Sequence, residues 1–200
     1  MTMMSDNVIM AIDPGTTESA YVLYDLDKSE IVRNVDMCDG LGKIDNQELL
    51  ELIKYLLHNQ IISNLFIEMI ASYGATVGAT TFETVLWIGR FLEAFGVKDM
   101  FQHLVYRKQR NKITGCDSVC MSLCKENTRV NDAQIKQRLK DIFPNTGGGS
   151  TPAVGTKKQP GPLYGGVKDI WSALAVAVTV QLWLKEVANE GEAATGREEV

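Results

Sequence analysis

Residues 8–18 read VIMAIDPGTTE. A run of apolar residues delivers Asp13, and Pro14-Gly15-Thr16-Thr17 follows at once. The run has the length and composition of a buried strand. It nevertheless ends on a carboxylate, a group costly to bury ionised and unpaired. Asp-Pro-Gly is an ordinary turn signal. Two chemistries also place an acid here. One is a carboxylate that holds a catalytic metal ion, and the other is a turn that cradles the phosphates of ATP.

Working outward, AYVLYDL (20–26) and IVRNVDM (31–37) read as two further strands joined by polar turns, which predicts an antiparallel meander. NQELLELIKYLLHNQ (46–60) has helical periodicity, with Asp45 available as N-cap. NLFIEMI (64–70) is a fourth strand, TTFETVLWIGRFLEAFG (80–96) a helix stopped by Gly96, and FQHLVYR (101–107) a fifth strand. A short helix is expected over 114–125, and a second over 131–143 with Asn131 and Gln134 as a capping box. The Gly/Pro-rich stretch 144–166 reads as a mobile loop. Residues 168–187 read as a core helix, and 188–200 as a disordered acidic tail. This order predicts an α/β fold in one domain over 1–187. Its sheet is mixed and five-stranded, three antiparallel strands followed by parallel ones, with helices on both faces. In such sheets, functional groups gather at strand ends near a topological switch.

Composition fits a cytoplasmic globular protein that does not engage a membrane: 45% hydrophobic and 22% charged, with no apolar run of the ~18 residues that span a bilayer. The start MTMMSDN lacks the basic and apolar regions of a signal peptide. Cys116, Cys120 and Cys124 recur every fourth residue, the stripe of helical thiols packed in a core rather than the paired spacing of zinc ligands. The net charge is −5, but it is unevenly spread. Residues 1–100 carry 6 Lys+Arg against 15 Asp+Glu, whereas residues 101–160 carry 11 against 4. Nucleic-acid binding depends on local positive charge rather than on the total.

Asp13, Glu68 and Asp169 are acids embedded in apolar sequence. Asp13 and Asp169 have ordinary readings, as a turn residue and as a first-turn helix acid. Glu68 in LFIEMI has neither. Together, two strand ends and a helix start could bring three carboxylates around a pair of hard cations such as Mg²⁺.

Four stretches carry a resemblance. IDPGTTESAYVLYD, FIEMI and KDIWSALAVAVT look like the three acidic motifs of the RuvC-type Holliday-junction resolvases, in order and spacing over about residues 7–182. VYRKQRNKITG resembles their basic stretch ahead of a glycine. The overall look is nearest to the RuvC-like resolvases carried by bacteriophages. The resemblance implies a ribonuclease H-like fold and a homodimer that nicks four-way DNA junctions. It makes Asp13, Glu68 and Asp169 ligands for two Mg²⁺ ions, with Mn²⁺ able to substitute. One position departs: Ser172 stands where many members have a further aspartate, offering a metal-bound water a hydroxyl but no charge. Arg107, Lys108, Arg110, Lys112, Lys157 and Lys158 are candidate phosphate contacts. Tyr73, in a glycine-flanked loop, is a candidate to stack on an unpaired base. Trp87 and Phe91, four apart on a helix, suit core or dimer packing.

Two other readings remain open. A junction-binding protein that no longer cleaves would also fit Ser172. An actin-like or sugar-kinase-type ATPase fragment would explain Asp-x-Gly-Thr-Thr, but it needs a second glycine-rich nucleotide turn and leaves Glu68 and Asp169 without a role.

Overall fold

A computed structural model describes residues 7–71, 77–126 and 130–195. Strand β1 (Val8–Asp13) lies at the centre of a mixed sheet. On one side β2 (Glu18–Asp25) pairs with it antiparallel along its whole length, from Val8↔Asp25 to Asp13↔Ala20. On the other side β5 (Asn64–Met69) runs parallel, and β6 (Leu104–Tyr106) runs parallel to β5. The outer edge of β2 is shared. β3 (Glu30–Ile31) covers Tyr24 and Asp25, while β4 (Leu41–Asp45) covers Glu18 to Val22. Six strands thus fill five positions, in the predicted order of antiparallel then parallel pairing.

Because side chains alternate along a strand, β1 feeds two cores. Val8, Met10 and Ile12 pack with helices α1 (Asn46–His58) and α2 (Ala79–Phe95). Ile9 and Ala11 pack with α3 (Val119–Cys124), α4 (Asp132–Ile142) and α5 (Ile170–Thr195) on the opposite face. Both sides of β1 are covered, which is why its sequence is apolar throughout. The helix ends follow the predicted caps. Asp45 accepts from the Gln47 amide, Gly96 closes α2 with φ 81°, and Asn131 and Gln134 form the capping box of α4. The helix expected over 114–125 is shorter, Val119–Cys124, so Cys120 and Cys124 lie on it and Cys116 precedes it; Cys116 and Cys120 are buried and Cys124 half-buried, all free thiols.

Other expectations change as well. The third strand, expected over 31–37, stops at Ile31 and pairing resumes at Leu41. Hydrogen bonds from Val32 N to Leu23 O and from Leu23 N to Gly40 O bracket the excursion between them. Gly40 closes it at φ 76°, where a Cβ would lie 1.6 Å from Val32 O. The fifth strand loses residues 101–103 to a 3₁₀ turn (Met100–His103) capped by Asp99. The 144–166 loop has no helix or strand, but it is not loose. Gly148 N donates to Gln159 O and Leu163 N to Ala153 O, and Ala153 and Leu163 are buried in the core beneath α5. Finally, α5 continues to Thr195 instead of ending at 187, while 196–200 lie outside the described residues. Over Ile170–Glu190 this helix is long and apolar enough to cross a bilayer, yet most of its first eleven residues are buried in the core of the fold. Gln181, buried within it, accepts from Tyr24 Oη at 2.9 Å and donates to Leu26 O and Ser29 Oγ.

Candidate active site

The register fixes where the acids meet. Ile12 lies opposite Ile67 across the parallel β1–β5 pair, so Asp13 and Glu68 follow as lateral neighbours. Adjacent strands are about 4.8 Å apart. Both acids continue the alternation of Ala11 and Phe66, residues on the α5 face. Arg107, just past β6, continues that of Val105 on the same face. The start of α5 brings Asp169 and Ser172 to this point. Asp13, Glu68, Arg107, Asp132, Asp169 and Ser172 together line one cleft of about 430 Å³.

The turn that ends β1 is held by a buried polar network. Ser19 Oγ accepts from Gly15 N at 3.1 Å and donates to Asn46 Oδ1 at 2.6 Å, and Asn46 Nδ2 donates to Gly15 O at 3.0 Å. Ser19 and Asn46 are fully buried. Gly15 is required, since a Cβ there would lie 2.3 Å from Glu18 O. The DPGTTE signature therefore encodes a rigid end to the strand, and with it the placement of Asp13.

The charges are unequally compensated. Arg107 Nη1 stands 3.6 Å from Glu68 Oε1, and its Nη2 bonds Asp132 Oδ1. Lys43, from β4, reaches Asp169 Oδ2 at 2.8 Å and lies 3.9 Å from Glu18. Among the described residues, no cation pairs with Asp13. Burial, then the charges of Glu68 and Asp169, push its carboxyl up to about 8, against the Arg107 charge and a Ser172 hydroxyl contact. Burial raises Glu68 as well, opposed by Arg107. Among the described residues no three acid, histidine or cysteine side chains are grouped as a ready-made metal site. Glu68 and Asp169 are turned to Arg107 and Lys43 instead. The available donors are carboxylate and hydroxyl oxygens, the set that suits a hard divalent cation. Such an ion would also neutralise the charge crowded around Asp13.

Five of the residues singled out in the sequence therefore meet: Asp13, Glu68, Asp169, Ser172 and Arg107. The other basic candidates stand outside the cleft. Lys108 is half-buried beyond it, Lys112 is exposed, and Lys157 and Lys158 lie at the exposed tip of the 144–166 loop. Arg110 braces its own loop, donating to Gly115 O at 2.6 Å and pairing with Asp117 at 3.4 Å. Tyr73 lies outside the described residues. Trp87 stacks on the buried Phe91, their centroids 5.8 Å apart, with Arg90 above it. Two residues at the site were not singled out by sequence. Lys43 sits in a strand whose LGKID pattern is too short and polar to read. Asp132 looks like any first-turn helix acid.

No family model matches the chain, and no curated protein matches it. Solved structures do. A Thermus thermophilus RuvC structure superposes with a TM-score of 0.54 at 14% identity, covering 90% of this chain and 96% of that one. T. thermophilus RuvC in complex with Holliday junction substrate superposes at 0.52 with 13% identity and the same coverage. The chain thus has the RuvC-type, ribonuclease H-like fold over nearly its whole length.

Proposed function

We propose that the chain is a metal-dependent endonuclease that cuts branched DNA, four-way junctions above all. The observation that carries this reading is the meeting of Asp13, Glu68 and Asp169, distant in sequence, in one cleft where Asp13 forms no ion pair among the described residues. The shared fold with RuvC, including the form bound to a Holliday junction, supports the substrate class.

Asp13, Glu68 and Asp169 would hold two Mg²⁺ or Mn²⁺ ions, with Ser172 as a neutral oxygen beside Asp13. Such ions supply an activated water and stabilise the leaving oxygen of a phosphodiester, leaving a 5′-phosphate and a 3′-hydroxyl. The protein's own part is positional. The Gly15–Ser19–Asn46 network holds Asp13, the core holds α5, and Arg107 stands at the rim, where a phosphate can exchange with its carboxylate partners. Lys108, Arg110, Lys112, Lys157 and Lys158 contact the DNA backbone farther out, and Tyr73 stacks on an unpaired base. The enzyme works as a cytoplasmic homodimer, because two equivalent sites match a nearly two-fold junction.

A second reading, a junction-binding protein without cleavage, is favoured by Ser172 alone. The ATPase reading loses its glycine-rich turn, since residues 147–150 follow α4 and not a strand. Purified protein with Mg²⁺ and a synthetic four-way junction should give paired nicks. Asp13→Asn should bind the junction with unchanged affinity and nick at least about a thousand-fold more slowly. Binding without nicks by the parent protein would establish the second reading, and nicking by Asp13→Asn would remove that carboxylate from the mechanism.

A further inference from the structure

A second cleft, of about 410 Å³, is lined from α4 and α5, the same two helices that reach the first. Its walls are α4, through Lys136 and Lys140, and the glycine-rich loop, through Gly149, Ser150 and Thr151; Trp171 contributes from α5. The two clefts share their partitions. On α4, Asp132 lines the acidic cleft, while Lys136 and Lys140, one and two turns along the same face, line the second. On α5, Ser172 faces the acids and its neighbour Trp171 the second cleft.

This cleft has the chemistry of an anion site. Lys136 and Lys140 are half-buried, and neither pairs with a carboxylate among the described residues. Lys136 Nζ is kept 4.8 Å from the Trp171 ring centroid, so it is ordered without being neutralised. The consecutive amides of Gly149, Ser150 and Thr151 donate to no acceptor among the described residues, the kind of backbone array that binds anions. Gly149 has φ 84°, a conformation that favours glycine. Trp171 is 6% exposed and its Nε1–H has no acceptor. That edge of the ring lies under Gly166, which also lines the cleft. A buried donor without a protein partner is commonly met by an ordered water, so this edge of the cleft is polar.

We propose that this second cleft holds backbone phosphates of the DNA strand leaving the acidic cleft, so that α4 and the glycine-rich loop form a continuous track for one arm of the junction. The proposal rests on the nuclease reading and adds a binding site to it. The spacing agrees: one step from Lys136 to Lys140 advances about 6 Å along α4, close to the roughly 7 Å that two nucleotides rise in a duplex. Asp132, at the acidic end of the same stripe, marks where phosphate must be accompanied by cations.

The test is the salt dependence of junction binding, read by fluorescence anisotropy of a labelled four-way junction across a KCl series in EDTA. Each lost phosphate contact lowers the slope of log K against log salt by about 0.9. Lys136→Gln/Lys140→Gln should flatten the slope by about 1.8 and weaken binding about tenfold or more at low salt. Ser150→Glu, an exposed loop change that leaves both lysines in place, should weaken binding comparably. Lys54→Gln, on α1, should change neither quantity, and Mn²⁺ binding at the acidic cleft should be unaffected in all three. A parental slope in the double variant, or parental affinity in Ser150→Glu, overturns the track while leaving the nuclease reading intact. A parent protein that does not bind the junction overturns both.

Discussion

Arg107 is shared between two carboxylates, Glu68 and Asp132, while Lys43 holds Asp169. A divalent ion entering the cleft must compete with both cations. Arg107→Gln should therefore tighten Mn²⁺ binding several-fold, measured by calorimetry or by the free-ion paramagnetic resonance signal. Weaker binding would mean that Arg107 helps shape the site. Asp13 gives a pH test. In the metal-free folded chain its carboxyl is raised from 3.8 to about 8, so between these values the folded state binds the extra proton. Stability must then fall as pH rises through that window. Asp13→Asn should melt higher than the parent, with a gap that widens towards pH 8, by about 2–4 °C for each kcal/mol of repulsion relieved. Mn²⁺ at a hundred times its Kd should restore about 2.7 kcal/mol to the parent and nothing to the variant. At this scale the sequence was informative where a charge interrupts apolar residues, as at Asp13 and Glu68. It was silent on Lys43 and Asp132, because an exposed lysine and a first-turn acid look the same whether or not they face a site.

The turn between β1 and β2 acts as a unit. Asn46 belongs to α1, yet it fastens Gly15 and Ser19 and so joins three elements behind Asp13. Asn46→Ala strips Gly15 O and Ser19 Oγ of their partners in a buried setting, at a cost of about 2–3 kcal/mol. The expected result is a drop in melting temperature of about 4–12 °C together with weaker Mn²⁺ binding. A loss of stability with full Mn²⁺ affinity would separate the network from the placement of Asp13. Elements with strong periodicity or a clear cap, namely β1, β5, α1, α2 and α4, were readable in advance. The split edge of the sheet was not. Its two pieces are set by the closing geometry of Gly40 and by pairing with β2, neither of which leaves an apolar period in the sequence. The glycine-rich loop misleads for a related reason: its order comes from backbone hydrogen bonds that composition does not reveal.

At the scale of the molecule, α2 presents an apolar stripe that no described residue covers. Phe82, Val85 and Leu86 are 63%, 38% and 70% exposed, the last two one helical turn on from Phe82. A homodimer built on this stripe would bury it. Phe82→Arg/Leu86→Arg should then sediment as a monomer, keep its Mn²⁺ affinity and turn paired nicks into single ones. Parental sedimentation would place the interface elsewhere. The overall architecture was legible because antiparallel and parallel segments are separated along the chain, whereas the shape of the surface was not, since it depends on which apolar side chains find no neighbour. One further property follows from α5. The same helix completes the core beneath β1 and β2, and Asp169 of the acidic cleft stands immediately before its first residue. A nascent polypeptide still lacking that segment on the ribosome has neither a finished interior nor a full set of carboxylates. A chain cut short before that helix should therefore be neither stably folded nor able to take up Mn²⁺ at the acidic cleft.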